Sequence, residues 1–260
     1  MSWSRYVALG DSTTEGLEDP YPDGGGYRGW ADRLAERLAA LEPGLLYANL
    51  AVRGKLARQV REEQLDAALA LEPDLATIAA GLNDMLRRNC EVDLVAGHLD
   101  AMIGALAGTG ATVVTMTYPD PVPVNPLART ARSRLFALNA AIREMARRHG
   151  ALVVDFERHA FSSDPRLWHP DRLHANPGGH ERIAGAVAEV LGLPDADAGW
   201  TAPLPPAPRI PRYRELAGNV DWAARHFAPW VWRRLRGRSS GDDRLPKRPR
   251  LEAVLPVRSD

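Results

Sequence analysis

Cysteine is almost missing from this chain of 260 residues. Cys90 is the only one, and a single cysteine cannot form an intramolecular disulfide, so a disulfide scaffold is excluded. A chain of this length with 45% hydrophobic residues can bury a core without such cross-links. The fold therefore has to be stabilised by side-chain packing.

Long apolar runs and an excess of charge are also missing. No stretch approaches the roughly 18 apolar residues of a membrane-spanning helix. The strand-like residues 6–9 begin almost at the first residue, so we expect no secretory leader. The formal net charge is +0 at pH 7, which gives no overall attraction to nucleic acid or to a membrane surface. We expect a cytoplasmic protein with a small-molecule partner, no nucleic-acid partner and no transmembrane segment.

Short apolar runs alternate with longer stretches of helical period. The runs are residues 6–9, 45–50, 75–79, 112–117 and 151–155. Between the first two, Trp30, Leu34, Leu38 and Leu41 recur at steps of four, four and three, which places them on one face of a helix. Such alternation is typical of a parallel sheet with helices on both faces. The sequence predicts a three-layer α/β/α, flavodoxin-like fold with a five-stranded parallel sheet over residues 1–194.

The sequence changes character beyond this domain. Residues 202–211 are rich in proline, which excludes a regular helix or a central strand. Trp222, Phe227 and Trp230 follow, interleaved with arginine. We interpret residues 195–236 as a proline-rich strap followed by a helical extension.

Residues 237–260 are expected to be disordered. The segment 225–260 holds ten Arg or Lys against four Asp or Glu, a local excess of positive charge. Peripheral contact with an anionic membrane is therefore an alternative, although packing of the aromatic residues onto the domain is favoured.

Polar residues follow the predicted strands where each strand ends. Ser12 follows the first strand, Gly54 the second and Asn83 the third, while Asp171 and His174 follow the fifth. Loops at the carboxyl ends of parallel strands meet at one edge of the sheet.

Acyl transfer by serine needs the hydroxyl, a base, a group that orients the base, and donors for the oxyanion. We predict Ser12 as the nucleophile, His174 as the base and Asp171 as its orienting carboxylate. The oxyanion hole would comprise the amides of Ser12 and Gly54 and the Asn83 side chain.

These motifs resemble the sequence blocks of the SGNH hydrolases, also called GDSL esterases and lipases. The blocks are Gly10-Asp11-Ser12, Asn49-Leu50-Ala51-Val52-Arg53-Gly54, Gly81-Leu82-Asn83-Asp84 and Asp171-Arg172-Leu173-His174. Thr13 stands where the family often has leucine, and Arg53 where it often has a smaller residue. The resemblance covers the whole α/β domain and implies a cofactor-free serine esterase or lipase that works through an acyl-enzyme.

Three further residues are candidates for substrate binding. Tyr27 lies in a glycine-rich insertion after the nucleophile turn, Arg53 precedes Gly54, and Trp168 lies ahead of Asp171. His169, together with Asp171 and His174, also has the donor atoms of a metal site. No further His or Cys cluster stands out at ligand spacing, so we predict no metal.

Several interpretations stay open at this stage. The same catalytic residues serve a carbohydrate O-acetylesterase or an acyl thioesterase. An alternative from another class is a flavodoxin-like binding module whose serine is inert, because fold alone does not decide function. Asp11 is interpreted as a brace of the nucleophile turn, and His180 as a packing or helix-surface histidine.

Overall fold

The computed structural model describes residues 2–194, 196–206, 211–236 and 238–254. Residues 207–210 of the predicted strap and residues 255–260 of the predicted tail lie outside these ranges.

Six strands form one sheet. They are β1 Arg5–Gly10, β2 Leu46–Asn49, β3 Leu75–Ala79, β4 Thr112–Met116, β5 Leu152–Val154 and β6 Arg248–Ala253. Their order across the sheet is β5-β4-β3-β1-β2-β6, and β1 to β5 are parallel. Each of these five lies in or overlaps one of the predicted apolar runs, so the predicted parallel α/β architecture is confirmed.

The sixth strand corrects the predicted five-stranded sheet. β6 runs antiparallel to β2, with Leu46 opposite Ala253. It lies in the segment expected to be disordered, and that expectation is wrong for residues 248–253. The sequence pattern misses this strand because an edge strand pairs through its backbone and needs no continuous apolar run. Pro249 is tolerated there because only one side of an edge strand is hydrogen-bonded.

Helices cover both faces of the sheet. In chain order they are α1 Ser12–Glu15, α2 Gly29–Leu41, α3 Ala57–Ala70, α4 Leu82–Met85, α5 Val92–Gly108, α6 Arg132–His149 and α7 Pro177–Val190. α2 and α7 pack on the face that carries Tyr6 and Tyr47, where Trp30 is fully buried. α3, α5 and α6 pack on the other face, against Val7 and Leu9. Since successive residues of β1 point to opposite faces, this one strand supplies both cores.

Two helices follow the α/β domain. α8 spans Arg212–Trp222, α9 spans Ala228–Leu235, and a π-helical turn at Ala223–Phe227 joins them. Pro229 has no amide hydrogen to donate to the preceding turn, which accounts for the widened helix there. We call residues 211–236 and 238–241 the cover, because α8 lies against the loop that carries Asp171. Within the described ranges, no helix is both long enough and apolar enough to cross a membrane.

Candidate active site

The nucleophile turn is formed by the end of β1 and the start of α1. Gly10 has φ +152°, and a Cβ atom there would lie 2.4 Å from the Ala79 carbonyl oxygen, so the turn has no room for a side chain. Asp11 caps α1, and its carboxylate accepts a hydrogen bond of 3.1 Å from Thr13 N. Ser12 is consequently the first residue of a short helix at the carboxyl edge of the sheet.

The structure brings the three predicted catalytic side chains together. His174 Nε2 lies 3.0 Å from Ser12 Oγ, and His174 Nδ1 lies 2.7 Å from Asp171 Oδ2. The other oxygen of Asp171 accepts hydrogen bonds from the amides of Leu173 and His174, at 2.9 and 3.1 Å. These bonds close a tight turn, so the spacing of three residues places the carboxylate directly behind the ring of His174.

Electrostatics keep the Asp171 carboxyl group ionised. Burial of Asp171 disfavours its ionised form, but the hydrogen bond and the charge of His174 outweigh this effect and hold the pKa of Asp171 well below its usual range. An ionised carboxylate at Nδ1 favours the tautomer with the proton on that nitrogen. Nε2 is then free to accept the Ser12 hydroxyl hydrogen, which is the arrangement that a general base requires.

The predicted oxyanion donors are also at this edge. Ser12, Gly54 and Asn83 line the same cavity, and within the described chain the amides of Ser12 and Gly54 donate no hydrogen bond. Asn83 Nδ2 lies 3.1 Å from both Asp11 Oδ2 and the Lys55 carbonyl oxygen. The two amides therefore have no acceptor among the described residues, whereas the Asn83 side chain is bonded to the protein itself.

Buried carboxylates brace these loops. Asp11 is 2% exposed, and burial raises its pKa to about 6. Its carboxylate links the nucleophile turn, through Thr13, to Asn83 on α4. Asp84 Oδ2 accepts a 2.9 Å hydrogen bond from Ala57 N, which fixes the start of α3 close to Gly54. Neither carboxylate contacts the Ser12 hydroxyl, in agreement with the interpretation of Asp11 as a brace.

The three predicted substrate-binding residues differ in position. Arg53 lines the cavity, but its guanidinium forms an ion pair with Glu15 and stacks over the Tyr27 ring, 5.2 Å from the centroid. Tyr27 does not line that cavity. Trp168 lines a separate small apolar pocket, and its Nε1 donates a 3.0 Å hydrogen bond to the Ser162 carbonyl oxygen. Of the three, only Arg53 faces the space next to Ser12.

The potential metal cluster is assembled differently from the predicted one. Ligand atoms of Glu18, His169 and Asp171 lie within 4.8 Å of one another, whereas His174 faces Ser12. His169 Nδ1 accepts the Asp171 amide hydrogen at 3.3 Å, and its Nε2 lies 3.2 Å from Glu18. Asp171 in turn is bonded to His174. These donor atoms are thus bonded to one another within the cluster, an arrangement that orients Asp171.

The cavity beside Ser12 has two walls. Its volume is about 630 Å³, and one wall comprises the loops of the α/β domain. The other is the cover, which contributes Trp222, Phe227 and Arg233. Sequence reasoning did not identify these residues as part of the site. The alternation of aromatic residues with arginine was the available signal, but the pattern does not specify where the segment packs.

The cover contacts the catalytic loop directly. Trp222 is 8% exposed, and its Nε1 donates a 2.9 Å hydrogen bond to the Asp171 carbonyl oxygen. Arg172 lies over the Trp222 ring, 4.7 Å from its centroid, and donates to Asn219 Oδ1 at 2.7 Å. At the other end of the cover, a Cβ atom on Gly241 would lie 1.9 Å from the Arg53 carbonyl oxygen. The cover therefore packs against two of the loops that form the site.

Comparison with known proteins assigns the chain to a family. Residues 8–182 match the GDSL-like Lipase/Acylhydrolase family, a range that includes both the nucleophile turn and the His174 loop. The chain belongs to this family. The resemblance based on four sequence blocks is confirmed, and this GDSL-family protein is an ester-hydrolysing enzyme. No curated protein sequence matches it.

Solved structures share the fold of this GDSL-family hydrolase. LAE5, an alpha/beta hydrolase enzyme from the metagenome of Lake Arreo, is 25% identical with a TM-score of 0.62, over 74% of this chain and 96% of that chain. A catalytic mutant of Axe2, an acetylxylan esterase from Geobacillus stearothermophilus, is 18% identical with a TM-score of 0.61, over 76% of this chain and 98% of that chain. The psychrotrophic esterase EstA from Pseudoalteromonas sp. is 20% identical with a TM-score of 0.57, over 73% of this chain and 97% of that chain. Each match includes nearly all of the solved chain and leaves about a quarter of the GDSL-family hydrolase unmatched.

Proposed function

We propose that this enzyme hydrolyses a small carboxylic ester through an acyl-enzyme formed on Ser12. The observation that carries the proposal is the position of the His174 ring, with Nε2 3.0 Å from Ser12 Oγ and Nδ1 2.7 Å from Asp171 Oδ2. Nucleophile, base and orienting group are in the order that serine acyl transfer requires.

In the first half-reaction, Ser12 Oγ attacks the ester carbonyl carbon and its proton passes to His174 Nε2. The resulting oxyanion accepts hydrogen bonds from the amides of Ser12 and Gly54. Collapse of the tetrahedral intermediate breaks the bond to the alcohol oxygen, which takes the proton from His174. The imidazolium formed in between is stabilised by the ionised Asp171.

In the second half-reaction, water replaces the alcohol. It transfers a proton to His174 Nε2 and attacks the acyl carbon. The second tetrahedral intermediate then breaks its bond to Ser12 Oγ, which takes the proton back from His174, and the carboxylic acid leaves. Asn83 is the third proposed oxyanion donor. To take this role its amide has to direct one hydrogen away from Asp11 or the Lys55 carbonyl group and toward the oxyanion, whose negative charge makes it the stronger acceptor.

A carbohydrate O-acetylesterase is the second candidate function. It is supported by the shared fold of the acetylxylan esterase Axe2 and by a cavity of about 630 Å³, which accommodates more than a short acyl chain. An acyl thioesterase would use the same residues. Rates on p-nitrophenyl acetate, butyrate and octanoate, on acetylated xylo-oligosaccharides and on an acyl thioester separate these substrates.

Covalent labelling tests the proposal itself. A fluorophosphonate probe should form one adduct, located by mass spectrometry on Ser12, and Ser12→Ala should lose both the adduct and ester hydrolysis. Ser133→Ala, which changes an exposed serine on α6, is the matched control and should keep both. A folded protein that hydrolyses no ester and forms no adduct would overturn the proposal and favour an inert binding module.

A further inference from the structure

The cavity beside Ser12 is lined by more positive than negative side chains. Six arginines face it, and the carboxylates that face it are Glu18 and Asp171. Both carboxylates are paired with histidine, Glu18 with His169 and Asp171 with His174. The six are Arg53, Arg87, Arg134, Arg225, Arg233 and Arg238.

Two of these arginines are in ion pairs and four are not. Arg53 pairs with Glu15, and Arg225 pairs with Asp221 at 2.6 Å. None of the other four forms an ion pair with a carboxylate in the part of the chain that the structure describes, and Arg87 acts on the buried Asp84 only at longer range; we call these four the arginine cluster. Its members are Arg87, Arg134, Arg233 and Arg238.

The arginine cluster spans both walls of the cavity. Arg87 follows α4 and Arg134 lies on α6, whereas Arg233 lies on α9 and Arg238 follows it in the cover. Arg134 Nη2 donates to the Met85 carbonyl oxygen at 2.9 Å, a bond that orients the guanidinium but leaves its charge uncompensated. A cleft with uncompensated charge of one sign and low-dielectric walls concentrates ligands of the opposite sign.

We propose that the physiological substrate is an ester that carries an anionic group, a carboxylate or a phosphate, and that the arginine cluster binds this group. The inference rests on the proposed esterase function and specifies its substrate class. Guanidinium groups bind a pair of oxygens of either anion through paired N–H donors. Leu17, Leu86 and Phe227 line the same cavity and provide apolar surface for a short acyl or alcohol chain.

An anionic membrane surface is the rival explanation of the same charge. The cluster lines the cavity that holds Ser12; Arg134 is half-buried there, whereas Arg87, Arg233 and Arg238 are exposed. A bilayer contacts a convex or flat face, whereas a single anion of a small substrate can reach into a cavity between walls. The position of the charges therefore favours a soluble anionic ester.

Two matched substrate pairs test the inference. Mono-p-nitrophenyl succinate and p-nitrophenyl butyrate have acyl chains of equal length and differ in a carboxylate on the acyl side. 1-Acetylglycerol 3-phosphate and 1-acetylglycerol differ in a phosphate on the alcohol side. We expect kcat/KM to favour the anionic member of at least one pair by about tenfold at low salt, and the preference to shrink as ionic strength rises. The favoured pair identifies the anion and the side of the ester on which it lies.

Charge-removing variants connect the preference to the arginine cluster. Arg233→Gln and Arg238→Gln should lower the ratio of anionic to neutral kcat/KM several-fold, mainly through KM. Arg147→Gln removes an exposed arginine of α6 that does not line the cavity, and it should leave the ratio unchanged. Far-ultraviolet circular dichroism of each variant confirms that the comparison is made between folded proteins.

The outcomes separate this inference from the proposed function. If the enzyme hydrolyses both neutral esters and prefers the anionic member of neither pair, the inference is overturned and the proposed esterase function stands. The inference is also overturned if Arg233→Gln loses binding to vesicles of phosphatidylserine and phosphatidylcholine while the substrate ratios stay unchanged, because the charge then serves a membrane surface. Failure of all ester hydrolysis together with loss of labelling on Ser12 overturns the proposed function itself.

Discussion

Acidification should destabilise the fold through one buried side chain, His180 in the first turn of α7. The ring is 1% exposed, its Nδ1 accepts a hydrogen bond from Trp30 N at 3.2 Å, and its Nε2 lies 2.8 Å from the Leu17 carbonyl oxygen. These partners require a neutral ring with the proton on Nε2, because a proton on Nδ1 would face another donor. Burial accordingly lowers the pKa of His180 from 6.5 to about 4.

The sign and size of the effect follow from proton linkage. As the pH falls through 6.5, His180 of the unfolded chain binds a proton, whereas the folded protein binds it only near pH 4. The unfolded state is therefore stabilised over this window, and the free energy of unfolding decreases until the pH is below both values. At about 1.4 kcal/mol per pH unit, the loss amounts to about 3 kcal/mol.

Asp11 changes the free energy of unfolding in the opposite direction over part of the same pH range. Its pKa is raised to about 6 by burial, so the folded protein keeps this proton while the unfolded chain releases it near pH 4, and stability falls as the pH rises between these values. A single stability curve mixes the two groups. A comparison with His180→Gln separates them, because glutamine can retain the hydrogen bond to the Leu17 carbonyl group but does not titrate.

The assay is urea unfolding followed by tryptophan fluorescence, for the wild type and His180→Gln, at several pH values between 7.5 and 4. The stability advantage of the wild type should shrink by about 3 kcal/mol as the pH falls over this range. A difference that is independent of pH would refute the reasoning, since the histidine would then be charged, or neutral, to the same extent in both states.

Two other substitutions test the site and the cover. Asp171→Asn should lower kcat for p-nitrophenyl acetate by roughly 10⁴-fold with little change in KM, because the amide no longer fixes the tautomer of His174, and a loss under tenfold would contradict that role. Gly241→Ala places a methyl group against the Arg53 carbonyl oxygen, 1.9 Å away before relaxation, and should displace the end of the cover. We expect a higher KM and a loss of about 1–3 kcal/mol in unfolding free energy; unchanged kinetics and thermal stability would show that the cover does not rest on this loop.

Much of the catalytic edge of the sheet could be predicted because it depends on short sequence patterns. The five parallel strands are short apolar runs, and the polar residues that follow them must meet at one edge of the sheet whatever the details of packing. Asp171 and His174 are three residues apart, so a tight turn alone brings their side chains together. The strand order does not set the distance between His174 and Ser12, because β4 and β3 lie between β5 and β1; that distance depends on the packing of α7 against α2.

The remaining features depend on contacts between residues far apart in the chain. Arg53 was predicted to bind substrate, but Glu15 from the nucleophile helix neutralises it, and no local pattern indicates that pairing. No local pattern indicates β6 either. Its charged residues and its proline are typical of a solvated tail, and the segment becomes a strand only by pairing with the edge of β2. The cover was expected as a helical extension, but its position over Asp171 depends on tertiary packing that periodicity does not encode.

The pairing of β2 with β6 also bears on how the protein is made. On the ribosome, all the proposed catalytic residues through His174 emerge well before residues 248–253, so a nascent chain can form the five parallel strands while the outer edge of β2 is still unpaired. An unpaired edge is a template for aggregation, and slow release of the last strand prolongs that exposure. A fusion partner or truncation that interferes with β6 should therefore reduce the yield of soluble protein even though every proposed catalytic residue is present.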